Sequence, residues 1–261
     1  MKAVQWSFQR IEEKYLLNTE QYNRLRIALR EHIVPDDYPE STICNIYYDT
    51  PDYELIRHSM EKPLYKEKFR VRSYGIPTKT GFVFMEIKKK FDGIVYKRRV
   101  LSDIGETMEY LQGGEKPEVD DPQILQEIQW FKQNYSLEPK LFLAYDRLAF
   151  RDVEDPELRL TFDRNIRFRT ENLDLTCGDY GIKLIPEDQI LMEVKIPGAA
   201  PVWLSHLLSD HGIFPISFSK YGKCYQKMRS RKGQCTGPFR AFRQGGRTYP
   251  QGRPRAYSSH A

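Results

Sequence analysis

The sequence predicts an α+β protein: about eight strands, mostly antiparallel, in a highly curved or closed sheet with helices between and around them. Three observations carry that expectation. Alternating runs recur at hairpin-like spacing with helical patterns between and around them. The run Phe82–Val100 turns back at Asp92–Gly93, a dipeptide that supplies the positive φ values of a two-residue hairpin. One strand face after another offers Lys and Arg while the opposite face is apolar and suited to packing under helices.

In chain order, Phe8–Leu17 reads as the first strand, with Glu12 and Lys14 on one face and Ile11, Glu13 and Tyr15 on the other. Asn18, with Gln21 three residues on, forms a capping-box signature before a helix carrying Tyr22, Leu25, Leu29 and Ile33, which Pro35 ends. Thr42–Tyr48 is a β-rich apolar run. Thr50 is the expected cap of a short helix with Pro51 at its first position. Tyr65–Tyr74 places Lys66, Lys68, Arg70 and Arg72 on one face. In the hairpin, Phe82, Phe84, Glu86, Lys88 and Lys90 share a face opposite Val83, Met85, Ile87 and Lys89, and Val95, Lys97 and Arg99 share a face on the return.

Ser102–Leu111 reads as a short helix stopped by Gly113-Gly114, and Asp120 or Asp121 with Pro122 opens another, with Ile124, Leu125, Ile128 and Phe131 as its apolar stripe. Lys140–Phe150, Leu158–Phe168 and Gln189–Ile196 are strand-like. They place Tyr145 and Arg147, then Arg159, Thr161 and Asp163, then Glu193 and Lys195, on single faces. Pro201–Asp210 and Ser217–Arg229 read as the closing helices.

Length and composition suit a globular protein, and no apolar run approaches the roughly 20 residues a membrane span needs. The first ten residues lack a signal-peptide apolar region. Cys44, Cys177, Cys224 and Cys235 are far apart without CxxC spacing, which fits a reducing cytoplasm and indicates neither a zinc site nor a disulfide framework. The net charge of +5 is concentrated at one end: residues 231–261 hold seven Lys/Arg and no acid. Removing those seven from 41 leaves 34 bases against 36 acids, so the body is not a general nucleic-acid binder and only the tail could act as one. The chain therefore divides into an ordered domain over 1–230 and a Gly-, Pro- and Arg-rich tail over 231–261, for which composition predicts disorder.

Like charges opposite one another in a sheet cost up to about 1 kcal/mol a pair, so solvated faces usually mix signs. Rows of Lys and Arg become tolerable when a polyanion lies between them, Arg supplying a bidentate fork and Lys a point charge. Glu12, Glu86 and Glu193 share faces with Lys14, Lys88 and Lys195. Each is either the partner of that lysine or a ligand for a divalent metal that bridges phosphate oxygens. Glu193 is the strongest metal candidate, because its strand is otherwise apolar and an unpaired buried carboxylate would be costly. Neither GxxxxGK[ST] nor GxGxxG occurs, so phosphate would be held by side chains rather than a glycine loop.

The motifs EEKYLL (12–17), IYYDT (46–50), KFRVRSYG (68–75), FMEIKKK (84–90), KRR (97–99), YDRLAF (145–150), LRLTFDRNI (158–166), LMEVKI (191–196) and SFSKYGKCY (217–225) resemble, in order, those of the VTC-type polyphosphate polymerase domain. That domain belongs to the triphosphate tunnel metalloenzyme superfamily, related to the CYTH proteins, and the resemblance implies a closed antiparallel β-tunnel of about eight strands with surrounding helices and basic residues lining the bore. The resemblance implies ATP-dependent synthesis of inorganic polyphosphate, by transfer of the γ-phosphoryl group to a growing chain in a basic tunnel. By residue, it implies Lys14, Arg70, Arg72, Lys88, Arg147, Arg159 and Lys220 as catalytic cations and Lys97 and Ser219 as substrate ligands, with Lys90 and Arg99 added to the latter. Glu193 would hold Mn²⁺ or Mg²⁺, with Glu86 and Glu12 as further metal candidates.

Two departures stand out. Ser217 occupies a position where the family commonly has Lys, and Arg10 leads the R-I-E-E-K segment where CYTH hydrolases have the first acid of ExExK. The first leaves a non-catalytic polyphosphate-binding module open. The second favours polymerase over a triphosphatase of the same superfamily. The resemblance is to the free-standing prokaryotic form, whose product would stay in the cytoplasm unless a membrane partner exports it.

Overall fold

The structure is a computed structural model that describes residues 10–92 and 94–233. Nine strands form one antiparallel sheet. They are β1 (Arg10–Asn18), β2 (Ile33–Asp49), β3 (Tyr65–Tyr74), β4 (Phe82–Phe91), β5 (Ile94–Asp103), β6 (Glu138–Asp152), β7 (Arg159–Arg169), the two-residue β8 (Ile182–Lys183) and β9 (Gln189–Pro197). Their spatial order is β1-β9-β7-β6-β2-β3-β4-β5, with β8 paired to β7. The α+β antiparallel architecture is therefore as predicted, but its closure is not a hydrogen-bonded one. β1 and β5 end the sheet, and among the described residues no ladder joins them. The sheet nevertheless curls: Lys88 on β4 reaches Glu12 on β1 at 3.4 Å, although five strands stand between them in the sheet order. Side chains, rather than backbone, span the gap.

Helices cover the convex face in two places. Helices α3 (Ile104–Leu111) and α4 (Pro122–Asn134) bury Ile104, Tyr110, Ile128 and Phe131 against Phe69, Val71, Val83, Met85, Ile87 and Val100. Helices α1 (Thr19–Ala28) and α5 (Val202–Asp210) bury Tyr22, Leu25 and Leu204 against Tyr15, Leu17, Leu160, Phe162, Met192 and Val194. The period-2 alternation thus sorts each strand as expected, with odd residues of β4 outward and even ones inward. The capping box at Asn18 and Gln21 and the Asp121–Pro122 helix start are both present. Asp92 adopts φ 43°, as the hairpin turn demands, while Gly93 lies outside the described residues. The tail from residue 234 also lies outside them.

Three local readings are corrected. Pro35 does not end the first helix, which stops at Ala28; it sits within β2, paired with Phe150 on the last rung before a register shift between Pro35 and Glu40. Helix α2 (Glu54–Met60) is not capped in the expected way. The buried Asp49 carboxylate accepts from the backbone N–H groups of Thr50, Leu55 and Ile56, and Thr50 Oγ1 accepts from Glu54 N. Leu158–Phe168 is not one unbroken alternation. Between the pairs Asp146↔Arg164 and Ala144↔Arg167, Asn165 and Ile166 stand opposite Tyr145 alone. Asn165 takes the left-handed φ of 49° at this bulge. The extra residue resets the faces, so that Ile166 and Phe168 join the concave side.

That side has an apolar floor at one end. Helix α6 (Lys220–Gly233) packs Tyr221, Cys224 and Tyr225 there against Tyr47, Leu141, Leu143, Ile166, Phe168 and Leu191. Tyr221 stacks on Tyr47 with ring centroids 4.5 Å apart, and its hydroxyl donates to Asp49. The N-terminus of α6 is thereby aimed at the polar remainder of the concave face.

Candidate phosphate-binding bore

Glu86, at 1% exposure, organises the first cluster. Arg70 approaches its Oε2 with Nε at 2.8 Å and Nη2 at 2.7 Å, Arg72 Nε lies 3.7 Å away, and Lys97 Nζ is 2.9 Å from Oε1. The register explains the convergence, since Arg70 is the direct cross-strand neighbour of Glu86, and Arg72 and Lys97 share its face two residues from its partners on β3 and β5. Burial opposes ionisation of Glu86, but Arg70, Arg72 and Lys97 outweigh it and hold the carboxyl well below its usual range. Burial also lowers Lys97 to about 8, against the pull of Glu86. Arg72 is fixed further by Asn45 Oδ1 at 2.9 Å and Tyr145 Oη at 3.3 Å.

The second cluster lies across the bore. Glu193 receives Lys220 at 2.6 Å and Lys14 at 3.8 Å on Oε1, and Arg147 at 3.2 Å on Oε2. Asp163, fully buried, takes Arg147 through two bonds of 2.7 and 2.8 Å and Lys220 at 2.6 Å. Burial works against the charge on Glu193, yet Lys220, Arg147 and Lys14 keep its carboxyl well below the ordinary value. Lys220 is pushed up in turn, because Asp163 and Glu193 overcome its desolvation. Glu12 is 3.0 Å from Lys14 and 3.4 Å from Lys88; despite burial, those two cations hold it at about 2.

Between the clusters the cations outnumber their partners. Lys66 stands directly opposite Lys90, Lys68 opposite Lys88, and Lys88 opposite Lys97. Lys68 donates to Ser219 Oγ at 3.0 Å, and the same oxygen accepts from Gly222 N at 3.2 Å, so Ser219 caps α6 and presents that helix end to Lys68. Burial and then Lys88, Lys14, Lys66 and Arg70 lower the Lys68 ammonium to about 7. Cations convergent from five strands and from α6, with the positive end of that helix dipole among them, make a site for an extended polyanion.

A family model described as the VTC domain matches residues 9–229. The chain belongs to the VTC domain family. A curated relative, the vacuolar transporter chaperone complex subunit 4 of Schizosaccharomyces pombe, is 21% identical over 84% of the chain, which spans 37% of that protein's length. Among solved structures, a Bacillus halodurans protein described as a "putative adenylate cyclase" superposes with a TM-score of 0.50 at 15% identity, covering 81% of this chain and 95% of that one. A Hippeastrum protein described as a "putative adenylyl cyclase" with a dominant triphosphatase activity gives 0.44 at 16% identity, covering 85% and 96%. The first likeness is one of fold.

In this VTC domain the proposed residues fall into distinct settings. Lys14, Arg70, Arg72, Lys88, Lys97, Arg147 and Lys220 are gathered in the two clusters, with Ser219 at their edge. Lys90 is half-buried opposite Lys66, and Arg99 is exposed on the edge strand β5, its guanidinium 4.6 Å from the centre of the Phe84 ring. Arg159 shares the inward face but stands at the rim, its side chain 49% exposed and 3.7 Å from Asp36. Ser217 is exposed. Of the three acids, only Glu12 pairs with the lysine two residues along its own strand; Glu86 and Glu193 bind cations from other elements.

Lys68, Asp163, Asn45 and Tyr145 were not singled out as site residues from the sequence. Lys68 and Asp163 lie in phase with the residues that were. Asn45 could have been found as a lone amide in the apolar run TICNIYY, where full burial requires a partner.

Among the described residues no three His, Cys, Asp or Glu side chains converge to hold a metal ion. Glu12 and Glu193, which share Lys14 between them, nonetheless suit a hard cation that draws the rest of its shell from phosphate oxygens and water, since such an ion uses one or two protein carboxylates. Among the described residues no helix is long and apolar enough to cross a membrane.

Proposed function

We propose that this protein is a polyphosphate polymerase, in which a terminal oxygen of a phosphate chain attacks the γ-phosphorus of ATP. The bond from that phosphorus to the β–γ bridging oxygen breaks, ADP leaves, and the chain grows by one phosphoryl group. The observation that carries the reading is the surplus of inward cations, Lys66, Lys68, Lys88 and Lys90 above all, set between two clusters whose acids fix Arg70, Arg72, Arg147 and Lys220 in place. Phosphoryl transfer is chiefly positioning and stabilisation of charge on equatorial oxygens, which such a preorganised array supplies without reorganising.

Arg70 and Arg72 would grip one stretch of phosphates and Lys14, Arg147 and Lys220 the reacting group, with Lys97, Lys90, Arg99, Ser219 and the rim residue Arg159 guiding the rest. Mn²⁺ or Mg²⁺, held by Glu193 with Glu12 and with Glu86 as the alternative carboxylate, would neutralise the oxygens between the β- and γ-phosphates. Family membership supports the class of reaction.

Incubation of the purified chain with ATP and Mn²⁺, followed by gel analysis of phosphate chains, tests this. Long chains with matching ADP are expected. Free phosphate without chains would assign a triphosphatase, and tight polyphosphate binding without ADP a binding module.

A further inference from the structure

The inward face of the β3–β4–β5 ribbon is not cationic along its whole length. At the Lys66 and Lys90 end it is lysine, and in its middle it is the Arg70–Arg72–Glu86 cluster. Beyond Glu86 it becomes aromatic and apolar. Phe84 is the direct neighbour of Arg72 on one side and of Leu101 on the other. Tyr74 meets the Phe84 ring edge-on at 90°, with centroids 5.9 Å apart, and Arg99 lies over the same ring and donates to Tyr74 Oη at 3.5 Å. Phe82, Tyr74 and Leu101 are 67%, 52% and 42% exposed, so this end presents an open apolar surface continuous with the phosphate-binding face. It is also the end away from α6, whose N-terminus meets Lys68 in the lysine-rich half.

Resting on the phosphate-binding reading above, we propose that Tyr74, Phe84 and Arg99, with Phe82 as an outer wall, form a nucleobase platform that receives the purine of a nucleoside triphosphate. A single ligand that matches both halves of the ribbon must join a flat π-system to a polyanion, and a nucleoside triphosphate does so. A base on Phe84 has Arg72 directly beside it, and the Glu86–Arg70 rung lies about 7 Å further along β4, so ribose and the first phosphate fall beside Arg72 and Arg70 and the remaining phosphates are directed toward Lys88. The stacked guanidinium of Arg99 adds a second planar surface and hydrogen-bond donors for ring nitrogens or ribose hydroxyls. The platform sets a direction: the nucleoside stays at the aromatic end, and the phosphate chain lies toward α6.

The test compares ATP with inorganic tripolyphosphate, which has no base, by calorimetric titration of the full chain without turnover. Base–aromatic stacking is worth about 1–3 kcal/mol, so Phe84→Leu and Tyr74→Ala should each weaken ATP by about fivefold to a hundredfold and leave tripolyphosphate unchanged. Phe82→Ala, at an exposed position that folding does not depend on, should shift in the same direction to a smaller extent. Unchanged ATP affinity, or equal losses for both ligands, would overturn the platform while leaving the phosphate-binding reading intact. A wild-type chain that binds no tripolyphosphate would overturn both. Concentration-dependent dimerisation abolished by Phe82→Ala, with ATP affinity unaffected, would assign this face to a second copy of the chain instead.

Discussion

Lys88 and Lys89 are adjacent in β4 and identical in charge, but their side chains leave opposite faces of the sheet. Lys88 faces Glu12 at 3.4 Å across the bore and stands between Lys68 and Lys97; Lys89 lies on the convex side, 3.6 Å from Glu127 of α4. Lys88→Ala should remove a charge-assisted contact to phosphate worth about 1.5–3 kcal/mol, or roughly a ten- to hundredfold loss of tripolyphosphate affinity. Lys89→Ala removes a partly exposed pair worth about 0.2–1 kcal/mol of stability and no contact with the ligand. Both variants lose one positive charge, so long-range attraction falls alike. At about 0.15 M salt the screening length is about 8 Å, and what remains between the two is the direct contact. Titration calorimetry with tripolyphosphate at low and moderate salt, beside thermal melts, reads both quantities. Equal affinity losses in the two variants at moderate salt, or a larger loss for Lys89→Ala, would refute the assignment of faces and with it the bore.

Three other expectations follow from the same geometry. Glu193→Gln should abolish metal-dependent turnover and also destabilise the chain by about 3 kcal/mol, because Lys220, Arg147 and Lys14 lose a buried countercharge while Asp163 still holds two of them; wild-type rates in the variant would remove Glu193 from the site. Burial, and then Lys88, Lys14, Lys66 and Arg70, push the Lys68 ammonium down to about 7 in the free protein, and a bound polyanion raises that value. Binding above pH 7 should therefore take up protons and weaken as pH rises, and calorimetry in buffers of different ionisation enthalpy should show the uptake reduced in Lys68→Met; an unchanged uptake would place the titrating group elsewhere. Phe131→Ala, at a fully buried position between α4 and the convex face, should cost about 3–5 kcal/mol in chemical denaturation and leave tripolyphosphate affinity unaltered in the folded fraction.

Alternation made most of the fold legible, since a period of two fixes which residues of β3, β4, β7 and β9 can meet. It fails where the backbone changes phase. The bulge at Asn165 turns Ile166 and Phe168 inward, and nothing in LRLTFDRNI marks it except an asparagine able to adopt a left-handed φ. Pairing between distant strands was not legible either. That Glu86 serves Arg70 and Lys97, and Glu193 serves Lys220 and Arg147, depends on register and on the position of α6, neither of which local pattern encodes. The role of Asp49 is of the same kind: one carboxylate caps α2 and accepts from Tyr221 of α6, tying two helices to the end of β2.

The disposition of the acids also explains how so basic an interior remains folded. Asp163, Glu86 and Glu193 each bind two or more cations from different elements, which ties nearby strands and α6 together, while Glu12, paired with Lys14 and Lys88, reaches across the gap that no ladder closes among the described residues. Those cations keep spare donors: a guanidinium has five N–H groups and an ammonium three, and the carboxylates use only some of them. The acids therefore preorganise the array without consuming its capacity to bind. Among the described residues the lysine pairs Lys66↔Lys90 and Lys68↔Lys88 have no comparable acid, apart from Glu12 beside Lys88, and the repulsion left after Lys68 is pushed down to about 7 is carried by the stability of the surrounding sheet. An anion lying along them relieves that repulsion, so part of its binding free energy is strain already present in the free protein, located where the phosphate chain is required to lie.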